Sequence, residues 1–400
     1  MKAVILAAGA SPRLKPFTET RAKPMIRLAG RPIIEFITQS LREAGIRELL
    51  MVVSHQRQTL EHHMGYGDNF GLSIEYVHQQ ETRGIGQALS LCRERLGHEP
   101  FLLVYGDVLT TGQPFSRVLE RFQETGTPVA AVTLPHASQE FGNVYLDPDM
   151  RITRFLEKPQ DKRSNYVLAG IFLLTPEIFP LLEQNNLDMA RCYQHLVDNQ
   201  RLNATLWEGG WIDITRPWQI LEANRMIMDQ WQHAEIHHSV KMRGPVHMEG
   251  PVHIEADVVI EAGCVIKGPC YIGQGSTIGN NVLVREYSSL GPKSLVGYGT
   301  ELKHCVLFGK SELGRLSFIG DSVIGEQVVL GTGVCTVNFR HDQRPITFKV
   351  TGEGEQDTGM AKLGAMIGDN VIIGARQILE PGTHIPTGFR APDLTTLPKS

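Results

Sequence analysis

The chain has 400 residues, 40 of them glycine, and a formal net charge of −4 from 39 basic and 43 acidic side chains. That length exceeds one small core and predicts two domains; the balanced charge excludes the basic stripe of a general nucleic-acid binder. The six cysteines (92, 192, 264, 270, 305 and 335) contain no Cys-x-x-Cys pair, so zinc ribbons and disulfide scaffolds are excluded and free thiols in a reducing cytoplasm are expected.

The first strand is predicted at Lys2–Leu6, with no basic and apolar leader before it. Helical spacing follows over 32–44, a strand over 49–53, a helix over 56–64, a strand over 73–77, a helix over 85–96 and a strand over 101–105. Strands and helices alternating at this spacing predict parallel βαβ units up to about residue 225. Ligands of such sheets bind at the carboxyl ends of the strands. Gly9, Gln79 and Asp107 each fall just after a predicted strand, which places them on one rim. No apolar run nears the roughly 18 residues of a membrane span, so no membrane partner is expected.

Residues 219–237 read as helical, and the connector between the halves is set at 226–240. From 241 to 390 the period becomes six. Every sixth position from Met248 is apolar: Ile254, Ile260, Ile266, Ile272, Ile278, Val284, Leu290, Val296, Leu302 and Phe308. Ile324 and Leu330 resume it, and Ile367, Ile373, Leu379 and Ile385 carry it again. Six fits neither a helix nor a flat strand; it fits a three-faced coil of eighteen residues per turn, a parallel β-helix. The aliphatic residues are expected to line the inside, with the glycines that follow them supplying unusual backbone angles at corners. Cys264 and Cys270 read as small fillers of that interior. Residues 337–362 break the phase and read as a loop insertion, and 391–400 as a tail.

The first strand runs into Leu6-Ala7-Ala8-Gly9-Ala10-Ser11-Pro12-Arg13-Leu14, followed by Lys23-Pro24-Met25. Small residues let backbone N–H groups approach a polyphosphate. Arg13 as a fork and Lys23 as a point charge can offset its charge.

This segment resembles the signature of the sugar-1-phosphate nucleotidylyltransferases, and four further motifs follow in that family's order. Tyr105-Gly106-Asp107 resembles its metal-binding Asp after a central strand. Phe155-Leu156-Glu157-Lys158-Pro159 resembles its sugar-phosphate motif, Ala169-Gly170-Ile171-Phe172 its sugar-side strand, and Trp211-Ile212-Asp213 the segment with its second metal-binding Asp. Ser11 departs from the pattern, where the family more often has Gly. The fold implied is a Rossmann-like α/β domain followed by a hexapeptide-repeat left-handed parallel β-helix.

The resemblance implies the chemistry. A sugar phosphate oxygen attacks the α-phosphorus of a nucleoside triphosphate in line, and pyrophosphate leaves; the protein positions two anions and stabilises the charge that builds on the leaving group. Arg13, Lys23 and Asp107 take the catalytic roles, and Leu6, Ala7, Ala8, Gly9, Gln79 and Gly84 the nucleotide. Gly142, Glu157, Lys158, Gly170 and Trp211 take the sugar phosphate, and Asp107 with Asp213 holds Mg2+, a hard ion that accepts one or two carboxylates. Gln79 resembles the family's reader of uracil or thymine, although Arg83-Gly84-Ile85 stands where Gly-Thr is usual. UTP or dTTP is therefore expected, with N-acetylglucosamine-1-phosphate as the first sugar and glucose-1-phosphate as the second.

The coil resembles that of archaeal-type enzymes which also acetylate glucosamine-1-phosphate. Lys303 and Asn338 match substrate-side positions there. Gly314-Arg315-Leu316-Ser317-Phe318 departs, because the family places a general-base His at the position of Arg315 and a Tyr at that of Phe318. Arginine stays protonated and cannot take a proton from an amine. Val329 stands where the bacterial form has Asn. Acetyl transfer is therefore expected to be lost or altered, with His304 and His341 read as ordinary surface residues. The coil then serves as a scaffold of a homo-oligomer, a trimer first, or as a regulatory sugar-nucleotide site. A non-catalytic regulatory subunit is the alternative of another class.

Overall fold

The computed structural model describes residues 1–54, 56–81, 83–134, 141–157, 166–393 and 396–397. The chain divides into two compact units. The first is Met1–Ala10, Ala22–Met25 and Ile33–Asp213; the second is Ser11–Arg21, Ile26–Pro32 and Ile214–Ser400.

The first unit is built on Lys2–Leu6, whose Ala3, Val4 and Ile5 are wholly buried. Val4 and Ile5 each contribute about 1.5–3 kcal/mol by leaving water. The sheet runs in the order Ile152–Glu157, Gly142–Leu146, Tyr166–Leu174, Phe101–Tyr105, Lys2–Leu6, Glu48–Val53 and Ser73–His78. The last four are parallel, with Leu6 in register with both Tyr105 and Val52, and Val53 with His78. Gly9, Gln79 and Asp107 consequently follow strand ends on one edge. The helix Ile33–Glu43 turns Ile33, Ile34, Ile37 and Leu41 inward, as its spacing requires. The helix expected over 85–96 is two short ones, Ile85–Ser90 and Arg93–Leu96. The break falls where Cys92 N–H donates to Leu89 O at 2.9 Å, a tighter turn than an α-helix makes.

The second unit holds the helix Gln219–Met228 and then the left-handed β-helix. Among the described residues its three faces are parallel sheets of eight strands, taken in rotation. Ile254, Ile260, Ile266, Ile272 and their successors form the interior column. A second set stands two residues earlier, and it is small and buried: Val258, Cys264, Cys270, Ser276, Val282, Ser288 and Ser294. These side chains are buried beside the aliphatic column.

Two expectations are corrected. Phe308 is not in the interior column. Leu290 pairs with Leu307, a turn of seventeen residues, so Leu307 takes the inward position. Phe308 instead meets Phe17 edge-on at 5.3 Å and Arg21, which stacks 4.6 Å from its ring centre. The glycines after the aliphatic residues do not supply positive φ. A Cβ on Gly273 would lie 2.7 Å from Pro292 N, and one on Gly279 2.8 Å from Val296 O. They are glycine because successive turns stack backbone on backbone. The left-handed corners fall instead on residues such as Asp257, Asn281 and Asn370. The insertion carries a hairpin, Thr347–Val350 with Gly354–Asp357, whose Phe348 is buried against Trp218.

Candidate active site

In the first unit the edge at the ends of the parallel strands carries most of the predicted residues. Leu6 closes its strand; Ala7 N–H then donates to Val52 O at 2.8 Å, and Gly106 N–H to Leu6 O at 3.0 Å. These bonds draw the start of the phosphate loop against the turn that bears Asp107. Gly106 lets them meet, since a Cβ there would lie 2.6 Å from Leu6 O. Ala7 and Ala8 are buried while Gly9 is exposed.

Beyond Asp107 the short strand Val108–Thr110 pairs antiparallel with Trp211–Asp213, and Asp213 is in register with Val108. The two aspartates are therefore neighbours although far apart in sequence. Lys23, in the turn Lys23–Met25, reaches between them. Its Nζ lies 2.8 Å from Asp107 Oδ2 and 3.4 Å from Asp213 Oδ1. Its side chain is 5% exposed, against 35% for Asp107 and 19% for Asp213. A buried ammonium needs such partners. No cluster of three or more metal-type side chains occurs among the described residues. Two convergent carboxylates are nonetheless a donor set that suits a hard divalent cation, whose remaining ligands come from phosphate and water.

The sugar-side residues form two groups. Gly142 pairs with Glu157 across neighbouring strands, and a Cβ on Gly142 would lie 2.7 Å from the Phe155 ring. Gly170 has φ +75°, and a Cβ there would lie 2.8 Å from Val108, so both backbone and space call for glycine. Trp211 Nε1 donates to Ala169 O at 3.0 Å, which ties that group to the Asp213 strand. Tyr105 and Tyr193 hydroxyls face each other at 3.4 Å beneath the strand, and burial pushes both phenols well above their usual range. Lys158 lies outside the described residues. Gln79 is buried and bonded to Gln87 and Gly84; Gln87 lies in the same segment, and the sequence alone gives it no role.

Arg13 falls in the second unit. Its guanidinium pairs with Glu353 of the hairpin at 3.5 Å, and Arg216 holds the other oxygen of Glu353 at 2.9 Å. Ser11, the departure from the usual glycine, has φ 44° and ψ 55°, in the left-handed region.

The coil brings Lys303 and Asn338 together on one buried carboxylate, that of Asp321. Lys303 Nζ donates to Oδ2 at 2.7 Å, Asn338 donates to the same oxygen, and His304 Nδ1 meets Oδ1 at 2.9 Å. His304 is thus no ordinary surface residue: its side chain is 19% exposed, and Nε2 is buried with no partner among the described residues. Burial alone would raise the Asp321 carboxyl. The bonds from His304, Lys303 and Asn338 outweigh it and hold the group below the usual carboxylate range. Arg315 is exposed, and no bond joins its side chain to this cluster among the described residues.

Residues 2–230 match the nucleotidyl transferase family, and 251–286 match the bacterial transferase hexapeptide repeats. Over 96% of its length the chain is 33% identical to the bifunctional protein GlmU of Methanocaldococcus jannaschii, covering 92% of that protein. It is 32% identical, again over 96%, to a bifunctional sugar-1-phosphate nucleotidylyltransferase/acetyltransferase of Sulfurisphaera tokodaii, covering 94% of it. Among solved structures, a UDP-glucose pyrophosphorylase in complex with UDP-glucose aligns over 56% of this chain and 96% of its own, with TM-score 0.51 and 22% identity. That likeness concerns the fold. No described helix is long and apolar enough to cross a membrane.

Proposed function

The chain belongs to the nucleotidyl transferase family, and on that premise we propose that it is a sugar-1-phosphate nucleotidylyltransferase. It transfers a nucleotidyl group, uridylyl first, from a nucleoside triphosphate to a hexose-1-phosphate, N-acetylglucosamine-1-phosphate first, and releases pyrophosphate. The observation that carries this reading is Lys23 held between Asp107 and Asp213. A regulatory homologue has no need of a buried ammonium facing two carboxylates on the rim of a parallel sheet.

The residues act by position and charge. The backbone of Leu6–Gly9 lies against the polyphosphate. Lys23 trades its carboxylates for phosphate oxygens and stabilises the charge that grows on the leaving pyrophosphate. Arg13 does the same from the loop that follows. Glu157 accepts hydrogen bonds from sugar hydroxyls, Lys158 faces the sugar phosphate, and Gly142, Gly170 and Trp211 shape that side. Gln79 and Gly84 read the base. Members of this family generally use a divalent metal. Our proposal is Mg2+, with Asp107 and Asp213 as the residues that would hold it; when bound it supplies further neutralisation of phosphate charge.

The test is a panel of four nucleoside triphosphates against several sugar-1-phosphates, scored by pyrophosphate release. UTP with N-acetylglucosamine-1-phosphate should be fastest, and Asp107→Ala should leave under about 1% of that rate. Preference for dTTP or glucose-1-phosphate would move the substrate assignment to the second reading. No turnover of any pair would leave the regulatory subunit. For the coil we propose that acetyl transfer from acetyl-CoA is lost, supported by the exposed Arg315 and the Phe318 ring without a hydroxyl. Acetylation of glucosamine-1-phosphate that Arg315→Ala abolishes would overturn this. The proposal is completed by a cytoplasmic location and a homo-oligomer, a trimer first, which light scattering on the purified protein checks.

A further inference from the structure

Gln79 and Gln87 form a hydrogen-bond relay whose direction is set by the backbone. Arg83 N–H is shared between Gln87 Oε1 at 3.0 Å and Glu81 O at 3.1 Å. A backbone N–H can only donate, so the Gln87 atom it meets is the carbonyl oxygen. That same oxygen accepts from Gln79 Nε2 at 2.8 Å. The Gly84 carbonyl, which can only accept, lies 3.4 Å from the same Nε2. Both hydrogens of the Gln79 amide nitrogen are therefore committed within the protein. Its Oε1 receives no bond from a described residue and is left for a ligand. Gln79 is 4% exposed. Turning its amide over would bring Oε1 against two acceptors and leave no donor to satisfy them.

We propose that Gln87 is a specificity-determining positioning residue, which holds Gln79 as a fixed acceptor and thereby selects uracil or thymine over cytosine. This rests on the reading of Gln79 as the base contact. Uracil and thymine carry a hydrogen on N3; cytosine has a lone pair there. A fixed carbonyl oxygen bonds the first and is repelled by the second. To accept cytosine, Gln79 would have to present Nε2 outward, and the relay opposes that turn. Size alone cannot make this distinction, since uracil and cytosine have nearly the same shape.

Gln87 is also the third residue of the helix Ile85–Ser90, and its bond to Arg83 N–H resembles a helix cap. A cap alone predicts that losing Gln87 slows UTP and CTP alike. The relay predicts that their ratio changes, and that ratio is the test. The kcat/KM for UTP divided by that for CTP should fall about tenfold or more in Gln87→Ala. Gln87→Met should do the same while keeping the side chain's length, which excludes a cavity effect. Gln87→Glu still accepts both bonds and should retain the wild-type ratio. A wild type that prefers UTP, with a ratio indifferent to Ala and Met at residue 87, would sink the relay and leave the base site standing. A wild type that uses UTP and CTP alike would remove the base-site reading, and the relay with it.

Discussion

The ammonium of Lys23 lies 2.8 Å from Oδ2 of Asp107, and the same nitrogen lies 3.4 Å from Oδ1 of Asp213. One buried cation thus neutralises two carboxylates that would otherwise repel each other. On the proposed function, an arriving triphosphate would compete with those carboxylates for Lys23 and free their oxygens. Anion binding and the exposure of two hard ligands would in this way be one event.

Lys23→Met should therefore be far more damaging to turnover than a surface substitution. It removes the charge that meets the phosphates and leaves Asp107 and Asp213 facing each other unshielded. Pyrophosphate release at saturating substrates is expected to drop about 100-fold or more. Lys23→Arg should recover only part of the loss, because a planar fork cannot replace a point charge in so closed a place. Wild-type turnover by the Met variant would refute the role given to Lys23.

The placement of Gly9, Gln79 and Asp107 was legible because each follows a strand of the parallel sheet. Asp107 sits one residue past Tyr105-Gly106, and a parallel sheet brings such positions to one edge whatever their separation in sequence. Gln87 was not legible, since a glutamine on a short helix has the look of a solvated residue until its partner is seen. Glu353 was hidden for a similar reason, because nothing near it in sequence announces that it pairs with Arg13. In the coil the six-residue period revealed the fold but not the slip at Leu307-Phe308. Both residues are apolar, so the six-residue series stays in step through Phe308 and falls out of phase only at Gly314 and Gly320. His304 looked ordinary because Asp321 lies a full turn further on.

The two kinds of coil glycine should respond unequally to substitution. Gly279→Ala drives a methyl to 2.8 Å from Val296 O, where only movement of a whole turn can relieve it. Overpacking of this kind costs about 1–3 kcal/mol, and the denaturation midpoint should fall accordingly. Gly275 has φ +69° but open space, with Lys293 Cγ at 3.7 Å as its nearest contact. Asn tolerates that backbone, so Gly275→Asn should cost under about 1 kcal/mol. Equal losses in the two variants would refute the stacking account.

Ser11 gives a prediction of the opposite sign. Its φ of 44° is uncomfortable for any residue with a Cβ. Ser11→Gly removes that strain, offset in part by the greater freedom of glycine in the unfolded chain. A net gain of up to about 1 kcal/mol is expected, read as a raised thermal midpoint, with pyrophosphate release retained. A lowered midpoint would mean that the serine hydroxyl contributes more than the left-handed backbone costs.

Asp321 makes the stability of the coil depend on acid. Its carboxyl is held below the usual carboxylate range by His304, Lys303 and Asn338 against the opposing effect of burial. A carboxyl whose folded value is depressed stabilises the fold fully above its unfolded value, about 3.9, and loses that contribution as pH falls through the folded value. Denaturant titrations between pH 7 and pH 2 should therefore show a loss confined to the acid end. In Asp321→Asn that component should vanish, so its acid limb should be flatter than that of the wild type. The same variant should be weaker by about 3 kcal/mol at neutral pH, because Lys303 is left as a largely buried cation without its anion. An Asn variant whose acid limb coincides with that of the wild type would show that the carboxylate, for all its bonds, adds nothing to the fold.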